Sequence, residues 1–187
     1  VYGQARLKEI KASFGLLRPV FFRVNLLLIT VSEALSVLQQ LGLTVTKIND
    51  IEGVFSIPPS QRELLTHSDV FLQGHVYIQS LSSLLPVLVL NPQPNEEILD
   101  LTAAPGSKTT QMAVLMQNQG RIAAVEKSRA RYFKLQDNLK KQGVTCVDTY
   151  LKDGSDVWRH CEGRFDRVLV DAPCSSEGRF DLNKPDS

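Results

Sequence analysis

The chain has 187 residues, 43% of them hydrophobic and 22% charged, a balance that is typical of a globular protein and allows one large domain or two small ones. The formal net charge of +1 excludes a generally basic chain, so any nucleic-acid binding must rest on a local patch. No apolar run reaches the roughly 18–20 residues of a membrane span, and we find no signal peptide.

The cysteines are odd in number and lack paired spacing: Cys146, Cys161 and Cys174. This usage is typical of a reducing compartment and not of a disulfide framework, so we expect an intracellular, cytoplasmic protein. The histidines share no metal-ligand spacing with the cysteines, so we predict no metal site. Because the chain stops at Ser187 without a closing helix or strand, we expect it to be a fragment.

The first 68 residues predict a small α/β module. A short basic helix is expected to end near Gly15, and Ser32 is expected to cap a helix that runs to about Gln40. Apolar, β-branched runs predict three strands, at 21–25, 45–48 and 54–57. The polar, proline-containing stretch 58–68 predicts a linker to a second domain, 69–187.

In the second domain, strands are predicted to alternate with helices. Apolar residues at helical spacing predict a helix over 78–88. The strands that follow are predicted at 98–101, 121–126, 145–150 and 165–170, with helices at 108–117 and 128–142. Such alternation predicts the α/β class, with a doubly wound, Rossmann-like parallel sheet.

A turn of small residues follows the strand at 98–101. It reads, in order, Thr102, Ala103, Ala104, Pro105, Gly106, Ser107 and Lys108. Open α/β folds bind ligands at the carboxyl ends of strands, where small residues let the backbone approach. The alternative is a tight strand–helix turn without a ligand. Asp100, at the strand end, is expected either to hold the turn or to contact the ligand indirectly.

A second segment lies at another strand end. The strand predicted at 165–170 runs directly into Asp171, with Cys174 following within four residues. A free cysteine is most often a small buried hydrophobic residue. A carboxylate and a thiol together at a strand end instead favour a functional site.

The two segments Thr102–Thr109 and Asp171–Gly178 together resemble the motifs of the NOP/Sun family of RNA cytosine-5 methyltransferases. The usual first motif of that family is Cys-Ala-Ala-Pro-Gly-Gly-Lys-Thr, so Thr102 and Ser107 are departures that remove neither a charge nor the turn geometry. The resemblance extends from about Arg23 to the end of the chain.

This resemblance implies an RNA-recognition-like module in front of a methyltransferase domain. It also implies S-adenosylmethionine as cofactor, rRNA or tRNA as partner, and methyl transfer to C5 of a cytosine. In a eukaryote the location would be nucleolar or mitochondrial as alternatives to cytoplasmic. A non-catalytic RNA-binding scaffold that retains the fold is the alternative function.

The cofactor residues implied by the resemblance are Thr102 to Lys108, Glu126, Asp153 and Asp171. Lys108 is expected to pair with the methionine carboxylate or to cap the turn. Glu126, at the end of a strand, can accept hydrogen bonds from a ribose diol, or else it favours the start of the next helix. Asp153 would contact adenine, with a turn-forming role in Asp153-Gly154 as the alternative.

The catalytic residues implied are Cys174 and Asp171. Cytosine C5 becomes nucleophilic when a thiolate adds to C6, and Asp171 would orient the base or touch the cofactor. In the family, the attacking cysteine lies in a later Thr-Cys motif, whereas the cysteine that matches Cys174 assists product release. No Thr-Cys pair follows Cys174, so we expect this chain to bind cofactor without methylating RNA.

Other candidate residues carry weaker expectations. The segment Gly106–Thr109 lacks the adjacent Gly-Lys of a P-loop, which argues against a nucleotidase. Gln79 either supports the cofactor pocket or is an ordinary helix residue. Arg23, with Arg18 and two neighbouring phenylalanines, is a candidate RNA contact unless those rings belong to the core.

Overall fold

The computed structural model describes residues 3–14, 18–49 and 51–172, which form two four-stranded sheets one after the other. Cys174 therefore lies outside the described residues. Within the described ranges, no helix is both long enough and apolar enough to cross a membrane.

The first sheet is antiparallel, with the strand order β2-β3-β1-β4. Its strands are β1 (Val20–Val24), β2 (Thr46–Lys47), β3 (Val54–Ile57) and β4 (Val76–Ile78). The helices of this part are α1 (Gln4–Phe14), α2 (Val31–Gln40), α3 (Arg62–Thr66) and α4 (Asp69–Leu72). We call β1–β4 with α2–α4 the N-terminal unit.

Helix α2 begins at a capping box formed by Thr30 and Glu33. The Thr30 hydroxyl accepts a hydrogen bond from the Glu33 N–H, and the Glu33 carboxylate accepts one from the Thr30 N–H. The expectation that Ser32 caps this helix is therefore wrong. A threonine can cap as well as a serine, and only Thr30 has a glutamate three residues later to complete the box.

The fourth strand of the first sheet comes late in the chain. β4 pairs with β1, with Ile78 opposite Phe22 and Val76 opposite Val24. Between β3 and β4, the predicted linker folds into a 3-10 helix and α3, and Leu65 of α3 is fully buried in the core of the N-terminal unit. The first sheet thus extends past the predicted boundary at residue 68, because β4 is needed to complete it.

The second sheet is parallel, with the strand order β7-β6-β5-β8. Its strands are β5 (Glu97–Asp100), β6 (Arg121–Glu126), β7 (Val147–Leu151) and β8 (Arg167–Leu169). Its helices are α5 (Leu81–Leu90), α6 (Ser107–Leu115) and α7 (Arg129–Lys141). The predicted α/β fold, with a small module before a parallel sheet, is confirmed.

Alternate residues of β5 and β6 face opposite sides of the second sheet. On one side Ile98 and Ile122 pack with Met112 and Met116 of α6. On the other side the strands face a 3-10 helix, Gly154–His160, and the segment after it. The described residues thus place α5, α6 and α7 on one face of the sheet and this shorter element on the other.

Buried polar groups join the first sheet to helix α7. The Asn25 amide donates hydrogen bonds to the carbonyl of Gly74 (3.1 Å) and to that of Gln142 (2.9 Å). The Gln142 amide also donates to the Gly74 carbonyl, at 3.0 Å. Gly74 has φ +78°, and a Cβ there would lie 2.1 Å from the carbonyl oxygen of Lys141. This close approach requires a glycine.

We expect Gly74→Ala to destabilise the protein far more than Gly42→Ala. Both glycines have φ +78°, so each alanine pays about 1–2 kcal/mol for a left-handed backbone. At Gly42 no atom lies within 4 Å of the added Cβ, whereas at Gly74 the methyl group clashes with backbone that must move. Urea unfolding of both variants measures the difference, and equal losses of stability would contradict this account of the junction.

Candidate functional site

The strand order of the second sheet reverses at β5. The chain continues from β5 to β6 and β7 on one side, whereas β8 lies on the other side. Ligands of open α/β sheets bind at such a reversal, outside the carboxyl ends of the strands. A cleft of about 740 Å³ opens at this end, and its walls include Thr102, Glu126, Lys127, Arg131, Asp153 and Val170.

The small-residue turn after β5 is held by its own backbone. The Ala103 N–H donates to the carbonyl of Val125 on β6 (2.9 Å), and the Gly106 N–H donates to the carbonyl of Ala103 (2.8 Å). The peptide bond before Pro105 is cis. Gly106 has φ +102° and precedes α6, and a Cβ there would meet the Leu135 side chain at 2.9 Å. The turn therefore lies close against α7.

Asp100, at the end of β5, supports this turn from below. Its carboxylate accepts a hydrogen bond of 2.7 Å from the Thr109 hydroxyl, and only 1% of the residue is exposed. Burial raises the pKa of Asp100 to about 6, and the bond from Thr109 only partly offsets this. Since the carboxylate is sealed beneath the turn, the structure favours the holding role that the sequence suggested for Asp100.

Lys108 and Asp171 meet across the strand reversal. The Lys108 ammonium donates to the Asp171 carboxylate at 2.6 Å and to the Ser83 hydroxyl at 3.1 Å. The Asp171 N–H donates to the Thr102 hydroxyl at 3.0 Å. The side chain of Asp171 remains 56% exposed, whereas that of Lys108 is 11% exposed. The lysine thus holds a carboxylate that faces outward at the mouth of the site.

Glu126 ends β6 and is 4% exposed. One carboxylate oxygen accepts a 2.8 Å hydrogen bond from the Ser128 N–H, and the other lies 3.5 Å from the Arg131 guanidinium. Glu126 therefore does contact the start of α7, which was the alternative reading of this residue. It also lines the cleft, so the two interpretations are compatible.

Asp153 follows β7 and is held by three donors. Lys127 lies 2.7 Å away, and the backbone N–H and hydroxyl of Ser155 donate at 3.1 and 2.9 Å. These donors lower the pKa of Asp153 to about 2, so the carboxylate is ionised at neutral pH. Asp153 and the nearby Asp156 also line a smaller cavity of about 300 Å³.

Two residues of α7 that donate hydrogen bonds to this turn were not predicted from the sequence. Arg131 donates a short hydrogen bond to the Ala104 carbonyl while it faces Glu126, and Asn138 donates to the Pro105 carbonyl at 2.7 Å. Helix α7 is rich in basic residues, and that pattern hides the single arginine that turns back toward the turn. A signal exists in its spacing, since Arg131 lies five residues after the strand-end Glu126.

Arg23, a candidate RNA contact, is buried. It is 4% exposed and the neighbouring Phe22 is fully buried in the core, so the structure favours the alternative given for this segment over an RNA contact by Arg23. Its guanidinium instead donates to the Gln79 side-chain oxygen (3.1 Å) and to the Thr110 hydroxyl (2.7 Å). The Gln79 amide in turn donates to Gln111 of α6 at 3.0 Å. Gln79 is therefore a buried bridge between the two sheets.

Comparison with protein families matches residues 87–185 to the family described as 16S rRNA methyltransferase RsmB/F. The chain is 49% identical over 110 residues to the tRNA (cytosine(49)-C(5))-methyltransferase of Pyrococcus abyssi, covering 59% of this chain and 35% of that protein. It is 37% identical over 161 residues to the 25S rRNA (cytosine-C(5))-methyltransferase nop2 of Schizosaccharomyces pombe, covering 86% and 26%. The chain thus spans about a third or less of these curated relatives.

A similar solved structure is that of a methyltransferase homolog protein from Pyrococcus horikoshii. The TM-score is 0.82 at 31% identity, and the match covers 96% of this chain and 58% of that one. The similarity includes both sheets, since nearly the whole chain is aligned.

The raised pKa of Asp100 predicts a specific pH dependence of stability. An acid whose pKa rises on folding stabilises the protein below its unfolded value of 3.8, and this contribution is lost as the pH rises through about 6. We expect the stability of wild type relative to Asp100→Asn to fall by roughly 3 kcal/mol over this range. Urea unfolding of both proteins from pH 4 to 7 tests this, and parallel pH profiles would refute it.

Proposed function

Since the chain belongs to the 16S rRNA methyltransferase RsmB/F family, whose members depend on S-adenosylmethionine, we propose that its parent protein methylates C5 of a cytosine in rRNA or tRNA. Membership confirms the resemblance to the NOP/Sun family. The observation that supports the activity best is the cleft at the strand reversal, which is lined by Thr102, Glu126 and Asp153 from the ends of three neighbouring strands.

The residues of the cleft fit S-adenosylmethionine. Its volume of about 740 Å³ lies within the range of ligand pockets. Glu126 makes one short hydrogen bond and one longer contact, which leaves lone pairs that can accept from ribose hydroxyls. Asp153 lies just after the neighbouring strand β7 and is ionised, so it can accept a hydrogen bond from an exocyclic amine. The turn from Thr102 to Ser107 offers small residues for close backbone approach.

We assign Thr102 to Lys108, Glu126, Asp153 and Asp171 to cofactor binding. When bound, S-adenosylmethionine supplies an electrophilic methyl group. The protein supplies orientation: Thr102 and Glu126 line the cleft, and Lys108 holds the Asp171 carboxylate next to Thr102. Lys108 thus acts through Asp171, an arrangement that the sequence did not suggest.

At the reacting end, Asp171 orients the target base, because its exposed carboxylate can accept a hydrogen bond from the exocyclic amine of cytosine. A thiolate that adds to C6 makes C5 nucleophilic, and C5 can then take the methyl group that S-adenosylmethionine supplies. Loss of the C5 proton afterwards allows the thiolate to leave. Cys174 is assigned to product release by its motif, and its position lies outside the described residues.

Cofactor binding can be measured directly on this chain. We expect calorimetric titration with S-adenosylhomocysteine to show one site and no binding of ATP. Glu126→Ala should weaken binding about tenfold or more, since it removes a carboxylate that accepts charge-assisted hydrogen bonds. Asp137→Ala, an exposed acid on α7, is the control and should bind as wild type does. A folded chain without affinity for S-adenosylhomocysteine would mean either that residues of the parent protein outside this chain complete the pocket or that the protein is the non-catalytic scaffold, and it would overturn these site assignments.

The role of Asp171 is separable from that of Glu126 in the parent protein. Asp171→Asn should slow single-turnover methylation of RNA by about 100-fold, because misplacing the base removes the alignment of the reacting atoms. S-adenosylhomocysteine affinity should fall less than in Glu126→Ala, because the amide keeps the shape of the side chain and one oxygen acceptor. Should the amide variant lose cofactor affinity and retain its methylation rate at saturating cofactor, Asp171 serves the cofactor and not the base.

A further inference from the structure

The turn assigned to the cofactor is held by a residue from the other sheet. Arg23 of β1 donates a 2.7 Å hydrogen bond from its guanidinium to the Thr110 hydroxyl on α6. That hydroxyl donates in turn to the carbonyl of Gly106, also at 2.7 Å. Gly106 is the last residue of the turn and the cap of α6. Two consecutive buried hydrogen bonds therefore connect the N-terminal unit to the turn.

The guanidinium itself is fixed from several directions. Its Nε donates to the Gln79 side-chain oxygen at 3.1 Å, and the Tyr77 ring centroid lies 5.0 Å from its central carbon. Gln79 is fixed by hydrogen bonds to the carbonyl of Ser83 and to the side chain of Gln111. Burial lowers the pKa of Arg23 to about 10, so it stays cationic at neutral pH. Because the guanidinium is held in place, its hydrogen bond restricts the position of the Thr110 hydroxyl.

A buried cation without a carboxylate partner destabilises a fold, so we infer that Arg23 does more than pack the two sheets together. A buried cation loses hydration, and among the described residues no carboxylate forms an ion pair with Arg23. Its Nη1 also lacks a hydrogen-bond partner within the described part of the chain. Apolar side chains of similar volume would join the two sheets without these penalties. Apolar side chains could not, however, donate a hydrogen bond to the Thr110 hydroxyl, which itself donates to the Gly106 carbonyl.

We propose that Arg23 is a positioning residue of the cofactor site. Through Thr110 it fixes the Gly106 carbonyl and with it the turn from Thr102 to Ser107. The N-terminal unit is then a structural part of the cofactor site, although none of its described side chains lines the cleft. This inference rests on the proposed function, because it takes the turn to be a cofactor-binding element.

A second junction between the same sheets provides the matched control. Asn25, two residues after Arg23, is fully buried and donates to the carbonyls of Gly74 and Gln142. These hydrogen bonds end at Gly74 and at Gln142, the residue after α7, and neither acceptor belongs to the turn. A purely structural role for Arg23 predicts that damage to either junction has the same consequence for the cofactor.

The test compares three variants of the full chain. Thr110→Val removes the hydroxyl with little change of shape, Thr110→Ser retains the hydroxyl, and Asn25→Ala damages the other junction. We expect Thr110→Val to weaken S-adenosylhomocysteine binding about tenfold, as the loss of a hydrogen bond to a charged group implies. Thr110→Ser should restore affinity. Asn25→Ala should lower the unfolding midpoint and leave affinity unchanged.

Amide hydrogen exchange gives a readout that needs no cofactor. Exchange over 103–110 should be faster in ligand-free Thr110→Val and unchanged in Asn25→Ala. Wild-type affinity in Thr110→Val, or an equal loss of affinity in Asn25→Ala, overturns the positioning role alone. If wild type binds no S-adenosylhomocysteine, the proposed function fails, and the role of Arg23 in cofactor binding fails with it.

Discussion

The pairing of β5 with β6 on one side and β8 on the other determines where the described cofactor candidates lie. Because β5 is flanked in both directions, the turn that leaves it faces the segment that leaves β8. Lys108 and Asp171, 63 positions apart in the chain, come within 2.6 Å for this reason. Glu126 and Asp153 follow the next two strands in order, so the acids line one wall of the cleft.

The N-terminal unit attaches to this sheet through polar groups from one short segment. Along β1 and the residue after it, Phe22 and Val24 face the core of the N-terminal unit, whereas Arg23 and Asn25 face the second sheet. Arg23 contacts α6 and Asn25 contacts the end of α7, which provides two fixed points on one strand. Hydrogen bonds are directional, so two such points restrict the relative orientation of the sheets more than apolar contact does.

The same alternation explains which predictions from the sequence succeeded. The apolar runs of β3 and β6 carry their own signal, and both strands lie at the predicted residues. Polar residues that alternate with apolar ones ordinarily face solvent, so Arg23 was read as a surface residue, whereas a second sheet covers it. Only tertiary structure reveals that cover. β4 was missed because its three residues are too few for a periodic pattern, and its pairing partner precedes it by more than 50 residues.

The sequence predicts that the candidate residues lie at strand ends, but it does not predict what each residue does there. Asp100 and Asp153 both follow the pattern of an acid at or after a strand end, yet the pKa of Asp100 is raised to about 6 and that of Asp153 is lowered to about 2. Burial beneath the turn causes the first shift, whereas Lys127 and Ser155 cause the second. A sequence shows neither burial nor donors distant in the chain.

Asp153 shows that one residue can form a turn and also remain a candidate for ligand binding. One carboxylate oxygen accepts both hydrogen bonds from Ser155, which shapes the turn after β7. The other oxygen faces Lys127, and the side chain still lines the cleft. Since a carboxylate offers about four acceptor positions, the turn orients the group and leaves capacity for a ligand donor. The turn that the sequence predicts at Asp153 therefore orients the carboxylate that lines the cleft.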